Sequence, residues 1–268
     1  MKSLKTQETM TKLLLKLLFV AVFFTSCIPM QKVPKDAVMS DFFHFQKAKD
    51  YDASKWAVFL PGTGGLRIFK DTTHYYDMAR ALNNEGISVL LVDNVAAYKA
   101  SKRKVTKDEE EMILWTLRQA LDWAKQHNYI DSNSNGSLVG WSRAGIGAIP
   151  LANDPERLQT FQINKMALFY PANPFEIDLN PEIPVLVITG GKDRIIKLDD
   201  ILNHMVAENV TIKVYNDAYH GFDVESLEKG KYYRIIPFIT KKIYLLKYDE
   251  VAAKDAVEEW IDFMNNTN

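Results

Sequence analysis

Short apolar runs alternate along the chain with longer stretches in which apolar residues recur at helical spacing. Most of the runs are apolar at nearly every position and rich in β-branched and aromatic residues, as in strands buried on both faces of a sheet. The predicted strands are residues 41–47, 56–60, 87–92, 137–141, 166–170, 185–189 and 210–215. The predicted helices are residues 75–84, 108–126, 143–151, 198–208 and 251–264.

Strands that alternate with helices in this way predict an α/β fold, a three-layer sandwich with a mostly parallel central sheet and helices on both faces. Ligand sites in such sheets lie beyond the carboxyl ends of the strands. Four loops are predicted to converge there: residues 61–65, 140–145, 190–193 and 219–222.

The segments between these elements are predicted to be irregular. Residues 93–106 are read as a loop, 171–184 as a proline-rich excursion at the sheet edge, and 226–246 as irregular. The segment from residue 93 contains a run of basic residues. We favour the interpretation that this run is a solvated loop over the alternative that it forms an anion-attracting rim of the site. The basic residues are Lys99, Lys102, Arg103, Lys104 and Lys107.

Composition narrows the function classes. The 268 residues are 47% apolar and 25% charged, as in a globular protein, and the formal net charge is −1. Without a basic stripe, no nucleic-acid partner is expected. The sequence has no P-loop, no correctly spaced dinucleotide motif and only one cysteine, so we expect neither a cofactor nor a metal. The oligomeric state is left open.

The first 27 residues have the features of a targeting segment. A basic start and an apolar stretch precede small residues and Cys27, the one cysteine of the chain. This pattern resembles a bacterial lipobox and predicts lipidation of Cys27, with anchoring to a membrane of the bacterial cell envelope. A cleaved secretory signal or an uncleaved anchor are the alternatives. Residues 28–39 then form a tether, and residues 40–268 form a single domain.

A serine sits where the chain turns from a strand into a helix. Residues 137–145 contain the pattern Gly-x-Ser-x-Ala, with Ser142 between Gly140 and Ala144. Small residues at these two positions are what a nucleophile elbow requires, because the turn presses backbone against backbone. The alternative is an ordinary strand–turn–helix joint.

Two further strand ends supply the partners that a nucleophilic serine needs. A base must take the serine proton, and a carboxylate must orient that base. Ser142, Asp193 and His220 follow three separate predicted strands in the order serine, acid, histidine. Asp217 is the best rival for the acid.

These motifs together resemble the α/β-hydrolase superfamily and, within it, the dienelactone hydrolase group. The resemblance rests on residues 61–65, 140–145, 191–193 and 220–222. It implies that Ser142 is the nucleophile, His220 the general base and then acid, and Asp193 the orienting carboxylate. It also implies an oxyanion hole formed by the backbone N–H of Arg143 with that of Thr63 or Gly64.

The chain departs from the group at two positions. The dienelactone hydrolases proper have a cysteine nucleophile where this chain has Ser142, so their substrate is not carried over. Related enzymes often have histidine where Pro61 stands. Tyr98, Trp141, Tyr170 and Tyr219 are candidates for contacting the substrate, with simple packing as the alternative. The Arg143 side chain is a further candidate, for a substrate carboxylate.

The sequence thus predicts a serine hydrolase that cleaves small-molecule carboxylic esters through an acyl-enzyme. Two alternatives stay open. A peptidase of the same fold is one, and a non-catalytic surface binding lipoprotein on a hydrolase scaffold is the other. The short excursion of residues 171–184 favours small or extended esters over long acyl chains.

Overall fold

The computed structural model describes residues 33–103, 108–233 and 243–266. Its strands are β1 (Phe43–Gln46), β2 (Trp56–Leu60), β3 (Ser88–Val92), β4 (Gly136–Trp141), β5 (Ile163–Phe169), β6 (Val185–Gly190), β7 (Val210–Tyr215), β8 (Lys231–Tyr233) and β9 (Tyr244–Leu246). Its helices are α1 (His74–Asn84), α2 (Asn94–Ala100), α3 (Glu109–Gln126), α4 (Gly145–Ala152), α5 (Pro155–Phe161), α6 (Leu198–His204) and α7 (Glu250–Asn265).

Seven strands form one sheet in the order β1-β3-β2-β4-β5-β6-β7. Strand β1 runs antiparallel to β3 at the edge, and the other neighbours are parallel. Strands β2 and β3 are buried at every position, in keeping with their apolar sequences, in which Ser88 at the start of β3 is the one polar residue. The prediction of a mostly parallel sheet with helices on both faces is confirmed.

Each face of the sheet packs against its own set of helices. One core joins the sheet to helices α2 to α6, and the other joins it to α1 and α7. The second core is rich in aromatic rings around Trp141. The centroid of the Trp141 ring lies 5.1 Å from that of Phe169, in a stacked arrangement, and 5.0 Å from that of Phe59. The end of β4 is therefore held on one side by large, fully buried side chains.

The segment predicted as a loop at residues 93–106 instead begins with helix α2, and residues 104–107 lie outside the described residues. The carboxylate of Asp93 accepts a hydrogen bond from the backbone N–H of Ala96 and caps the helix. Ala96 and Ala97 pack into the core. The lysines in this segment masked an apolar helix face only two turns long, so the loop prediction was wrong here.

Further differences concern short elements and their ends. Helix α5 was not predicted, although Asp154 caps it and Pro155 begins it. Helix α4 contains Pro150 and ends at Ala152, one residue beyond the predicted end, and the missing N–H of the proline removes one backbone hydrogen bond from it. Helix α6 ends at His204 rather than at residue 208.

The segment read as irregular at residues 226–246 contains a two-stranded antiparallel sheet of β8 and β9. Each strand has three residues, which is too short for a readable alternation of apolar and polar positions. Residues 234–242 between them lie outside the described residues.

The predicted leader and Cys27 also lie outside the described residues, so they stay predictions. Within the described part of the predicted tether, Val33, Ala37 and Met39 pack against the core. No helix among the residues described is long and apolar enough to cross a membrane.

Candidate active site

The chain turns sharply at the end of β4. Ser142 directly follows the strand and begins a 3₁₀ turn, Ser142–Ala144, that leads into helix α4. Its backbone φ is +48°, in the left-handed region that side chains other than glycine rarely adopt. Such strain persists only where the surroundings impose it, and it is concentrated at functional sites. The turn presents the Ser142 hydroxyl at the carboxyl edge of the sheet.

The small residues on either side of Ser142 allow this turn. A Cβ placed on Gly140 would lie 3.1 Å from the Cβ of Ala144 and 3.2 Å from a methyl of Leu168. Both distances are tighter than ordinary contacts between such atoms. Glycine at 140 thus leaves room for alanine at 144, which explains why the Gly-x-Ser-x-Ala variant fits.

A chain of contacts joins the three residues of the predicted triad. The His220 Nε2 atom lies 3.1 Å from the Ser142 hydroxyl, and its Nδ1 atom lies 2.7 Å from Asp193 Oδ2. The other carboxylate oxygen of Asp193 accepts hydrogen bonds from the backbone N–H groups of Ile195 and Ile196. Asp193 and His220 are 3% and 7% exposed. The carboxylate is therefore held rigidly with one oxygen directed at the imidazole.

Two neighbouring strands bring the acid and the histidine together. Asp193 follows β6 and His220 follows β7, and these strands are adjacent and parallel. The two loops touch through their backbones, since the N–H of Lys192 donates to the carbonyl of Ala218 at 2.9 Å. The position of the acid relative to the base is thus fixed by main chain as well as by side chains.

The rival acid and three of the other histidines lie elsewhere, whereas the His74 ring centroid lies 6.3 Å from that of Trp141, beside the site. Asp217 is exposed and forms an ion pair with Lys192, at 2.6 Å. His127 follows the end of α3 and His204 pairs with Asp178, while His44 lies in β1.

The predicted oxyanion groups lie around the serine. Thr63 and Gly64 line a cavity that also contains Ser142 and His220, and Arg143 is the residue after the serine. The backbone N–H of Gly62, one residue earlier, donates to the hydroxyl of Tyr75 at 3.1 Å. That bond anchors the start of the oxyanion loop to helix α1.

The Arg143 side chain is directed away from the cavity. Its Nε atom lies 2.8 Å from Glu109 Oε2, and both side chains are buried. The guanidinium is therefore engaged in an internal ion pair, and the idea that it reaches a substrate carboxylate finds no support in its contacts. Arg143 is not among the described residues that line the cavity.

The cavity beside Ser142 is small, about 70 Å³, and its walls are largely apolar. Trp141 and Tyr170 line it near the serine. The apolar side chains that complete the described part of the wall are Ile68, Phe69, Ile195, Val224, Leu227 and Leu246.

Two of the four aromatic residues predicted to contact substrate, Tyr98 and Tyr219, are placed differently. Tyr98 lies in α2 with its ring 5.5 Å from that of Trp115, and it is buried in the core. Tyr219 precedes His220, which occupies the cavity-facing position. Neither tyrosine is among the described residues that line the cavity, whereas Trp141 is. The placement of Tyr98 and Tyr219 therefore corrects the prediction.

Sequence reasoning missed a buried carboxylate beside the site, Asp223. It accepts hydrogen bonds from Trp141 Nε1 at 2.9 Å and from the Tyr170 hydroxyl at 2.6 Å. Burial alone would raise the pKa of Asp223, but the His74 ring and the two hydrogen bonds outweigh that effect and hold the pKa below its usual value. An aspartate three residues after the histidine was the available signal, but nothing in the sequence shows its partners.

The sequence profile of the dienelactone hydrolase family matches residues 74–268, which is most of the chain. The chain belongs to the dienelactone hydrolase family. This supports a hydrolase, in agreement with the sequence prediction at that level. No curated protein sequence matches the chain.

Several solved structures share the fold. A candidate dienelactone hydrolase from Klebsiella pneumoniae subsp. pneumoniae MGH 78578 is 20% identical, with a TM-score of 0.59 over 91% of this chain and 97% of that one. The carboxylesterase Cest-2923 from Lactobacillus plantarum WCFS1 is 14% identical, with a TM-score of 0.51 over 84% and 94%. Est1E from Butyrivibrio proteoclasticus with bound ferulic acid is 12% identical, with a TM-score of 0.51 over 84% and 95%. At these identities the likeness concerns the fold.

Proposed function

We propose that this dienelactone hydrolase family protein is a serine hydrolase that cleaves carboxylic esters through an acyl-enzyme. The observation that carries the proposal is the contact chain from the Ser142 hydroxyl through His220 to Asp193. A serine hydroxyl is a weak nucleophile unless a base removes its proton during attack. Here the base is within hydrogen-bond distance and is itself oriented by a buried carboxylate.

In the first half of the reaction, the Ser142 oxygen attacks the ester carbonyl while His220 Nε2 takes its proton. Asp193 accepts the Nδ1–H hydrogen bond, which fixes the tautomer and stabilises the imidazolium that forms. His220 then gives its proton to the departing alcohol, and the acyl group remains bound to Ser142.

In the second half, a water molecule replaces the alcohol. His220 takes a proton from the water as it attacks the acyl carbonyl, and returns a proton to Ser142 as the acid leaves. The negative oxygen formed in each half is stabilised by the backbone N–H of Arg143 together with that of Thr63 or Gly64. Such preorganised donors contribute about 3–4 kcal/mol each to transition-state stabilisation.

The lining of the cavity favours small, apolar acyl groups. Its described wall presents aliphatic and aromatic side chains around Ser142, and the nearby guanidinium of Arg143 is paired with Glu109. Esters with a short, uncharged acyl group are the substrates that this surface fits best.

Fluorophosphonate labelling and hydrolysis of p-nitrophenyl acetate test the proposal. Wild-type protein should be labelled and active, and Ser142→Ala should lose the labelling and lower the rate by at least about 10⁴-fold. Ser132→Ala is the matched control, since this serine is exposed in the turn before β4 and should leave both signals unchanged.

Folded wild-type protein that is neither labelled nor active on short esters contradicts the proposal. That result would favour the non-catalytic binding protein. Labelling of Ser142 with cleavage of peptides but not of esters would instead favour the peptidase.

A further inference from the structure

A buried carboxylate that the proposed reaction does not use lies directly behind the triad. Asp223 follows His220 by three positions and its side chain is inaccessible to solvent. Placing a charged group there is costly unless hydrogen bonds and opposite charge compensate for it. The groups that compensate here come from three separate parts of the chain.

Each of the two oxygens of Asp223 has its own donor. Oδ2 accepts from Trp141 Nε1, and Oδ1 accepts from the hydroxyl of Tyr170. His74 Nε2 lies 3.3 Å from Oδ2, an electrostatic contact rather than a well-directed hydrogen bond. The three partners stand at the end of β4, just after β5 and at the start of α1.

Two of these partners touch the residues that would carry the reaction. Trp141 immediately precedes Ser142, so its indole fixes the strand end from which the strained serine turn departs. The ring of Tyr170 lies with its centroid 4.4 Å from that of His220, and the two rings are tilted at 55°. One carboxylate thus holds both the platform of the nucleophile and the ring beside the base.

The two donors are suited to this role. Burial and the neighbouring Asp223 raise the pKa of Tyr170 well above its usual value, so its hydroxyl keeps its proton. Tyr170 also has a backbone φ of +38°, an unfavourable conformation that its hydroxyl bond to Asp223 helps to maintain.

We propose that Asp223 is a positioning residue for the ester hydrolysis proposed above, acting through Trp141 and Tyr170 to set the geometry between Ser142 and His220. This inference rests on the proposed function. It assigns to Asp223 no contact with substrate and no proton transfer. Its effect is to keep the hydroxyl and the imidazole at reacting distance.

Steady-state kinetics of Asp223→Asn on p-nitrophenyl acetate give the first test. The amide has nearly the same shape but only one acceptor oxygen, so one of the two donors loses its partner. We expect kcat to fall about 10- to 100-fold with KM within about two-fold, because small misplacements of reacting groups lower the rate without weakening binding. Asp217→Asn is the control, and its kcat should stay within about two-fold of wild type.

A double-mutant cycle tests the route of the effect. Tyr170→Phe removes the hydroxyl and keeps the ring, so it should also lower kcat. This variant should fold even if Asp223→Asn fails to fold. Combined with Asp223→Asn, it should reduce kcat by clearly less than the product of the two single effects. Multiplied effects, or a folded Asp223→Asn enzyme with wild-type kcat, would overturn the inference.

A readout without catalysis separates this inference from the proposed function. The Cε1–H resonance of His220, measured by NMR, senses the adjacent Tyr170 ring. It should shift in Asp223→Asn and Tyr170→Phe and stay in place in Asp217→Asn. An inactive, unlabelled wild type with these shifts would refute the ester hydrolase and keep the positioning role. An unmoved resonance in folded Asp223→Asn would refute the positioning role even in an active enzyme.

Discussion

Ser142 combines chemistry and strain in one residue. The carbonyl of Ser142 accepts a hydrogen bond from the N–H of Ala172 at 2.8 Å, which helps hold the turn in its left-handed conformation. A side chain in that region costs of order 1–2 kcal/mol, because Cβ approaches the following carbonyl oxygen. The left-handed conformation of Ser142 therefore lowers the stability of the fold, and in return it exposes the hydroxyl at the turn.

Glycine at position 142 should relieve that strain. We expect Ser142→Gly to be more stable than Ser142→Ala by about 0.5–1 kcal/mol, since glycine has no Cβ and adopts positive φ readily. Both variants lack the hydroxyl and should be inactive, so function does not enter the comparison. Urea unfolding of the two proteins measures the difference. An alanine variant that is the more stable of the two would show that the turn is unstrained.

Asp223 should also be visible in the dependence of stability on pH. Its pKa is held below the ordinary value of 3.8, so the unfolded chain binds a proton more readily than the folded protein does. The carboxylate therefore stabilises the fold above pH 3.8, and this contribution disappears as the pH falls through its folded pKa. Asp223→Asn should be less stable than wild type at pH 7, with a gap that narrows below pH 3.8.

Unfolding free energies from urea titrations between pH 3 and pH 7 check this expectation. Asp217→Asn, which removes an exposed carboxylate, should follow the wild-type curve. A gap between Asp223→Asn and wild type that is equally large at both ends of the range would mean that the Asp223 carboxylate is not specially stabilised.

At the scale of elements, the buried parallel strands were predictable and the short helices were not. The apolar runs within β2, β3 and β6 are buried on both faces, as is typical of strands inside a parallel sheet. Helix α2 has only seven residues, and Lys99 together with the basic residues that follow the helix outweighed its small apolar face in the sequence prediction. Its stability comes from packing, which a local sequence pattern does not show, and from the Asp93 cap, for which an aspartate before the helix was the available sequence signal.

The same distinction holds within the site. The sequence allowed Ser142, Asp193 and His220 to be placed together, because each follows a strand and parallel strands bring their carboxyl ends to one edge of the sheet. The lining of the cavity and the partners of Asp223 depend on how distant segments cross, as at Trp141 and Tyr170. The spacing of residues in the sequence does not predict these contacts between distant segments.

Asp93 also links helix α2 to the predicted oxyanion loop at residues 61–65. Its Oδ1 atom caps the helix, and its Oδ2 atom accepts from the N–H of Leu66 at 3.2 Å. The intervening space is so small that a Cβ on Gly65, whose φ is +67°, would lie 2.4 Å from Oδ1. The loop after β2 is thus built around this carboxylate.

Gly65→Ala should therefore cost more than a positive φ alone. Gly86 is the matched control, since its φ is +79° and nothing lies within 4 Å of an added Cβ. We expect Gly86→Ala to lose about 1 kcal/mol of stability and keep its activity, and Gly65→Ala to lose at least 2–3 kcal/mol and most of its kcat. Thermal unfolding and p-nitrophenyl acetate hydrolysis measure both. Equal losses in the two variants would contradict the role given to Asp93.

At the scale of the whole molecule, the cavity is closed by segments that are distant in sequence. Ile68 follows β2, Leu227 follows the His220 loop, and Leu246 ends β9. Leu246 reaches the His220 loop because His220 forms an isolated parallel bridge with it, and because the N–H of Asp249 donates to the carbonyl of Phe222. Ile68 packs against the buried cluster that contains Leu227 and Leu246. The fold thereby places an apolar wall beside the proposed nucleophile.

This wall should set the preferred length of the acyl group. In a p-nitrophenyl ester series, we expect kcat/KM to be highest for short acyl groups and to decline towards octanoate, because the cavity beside Ser142 is small.

Leu227→Ala removes a buried part of the wall and should raise the ratio of hexanoate to acetate hydrolysis by at least about five-fold. Since this truncation also removes core packing, Leu227→Val serves as a milder variant that should change the ratio in the same direction. Leu202→Ala, at an exposed position of α6, should leave the ratio unchanged. An unchanged ratio in folded Leu227→Ala and Leu227→Val would mean that the acyl group binds elsewhere, and rates that climb steadily past octanoate in the wild type would require an open acyl site.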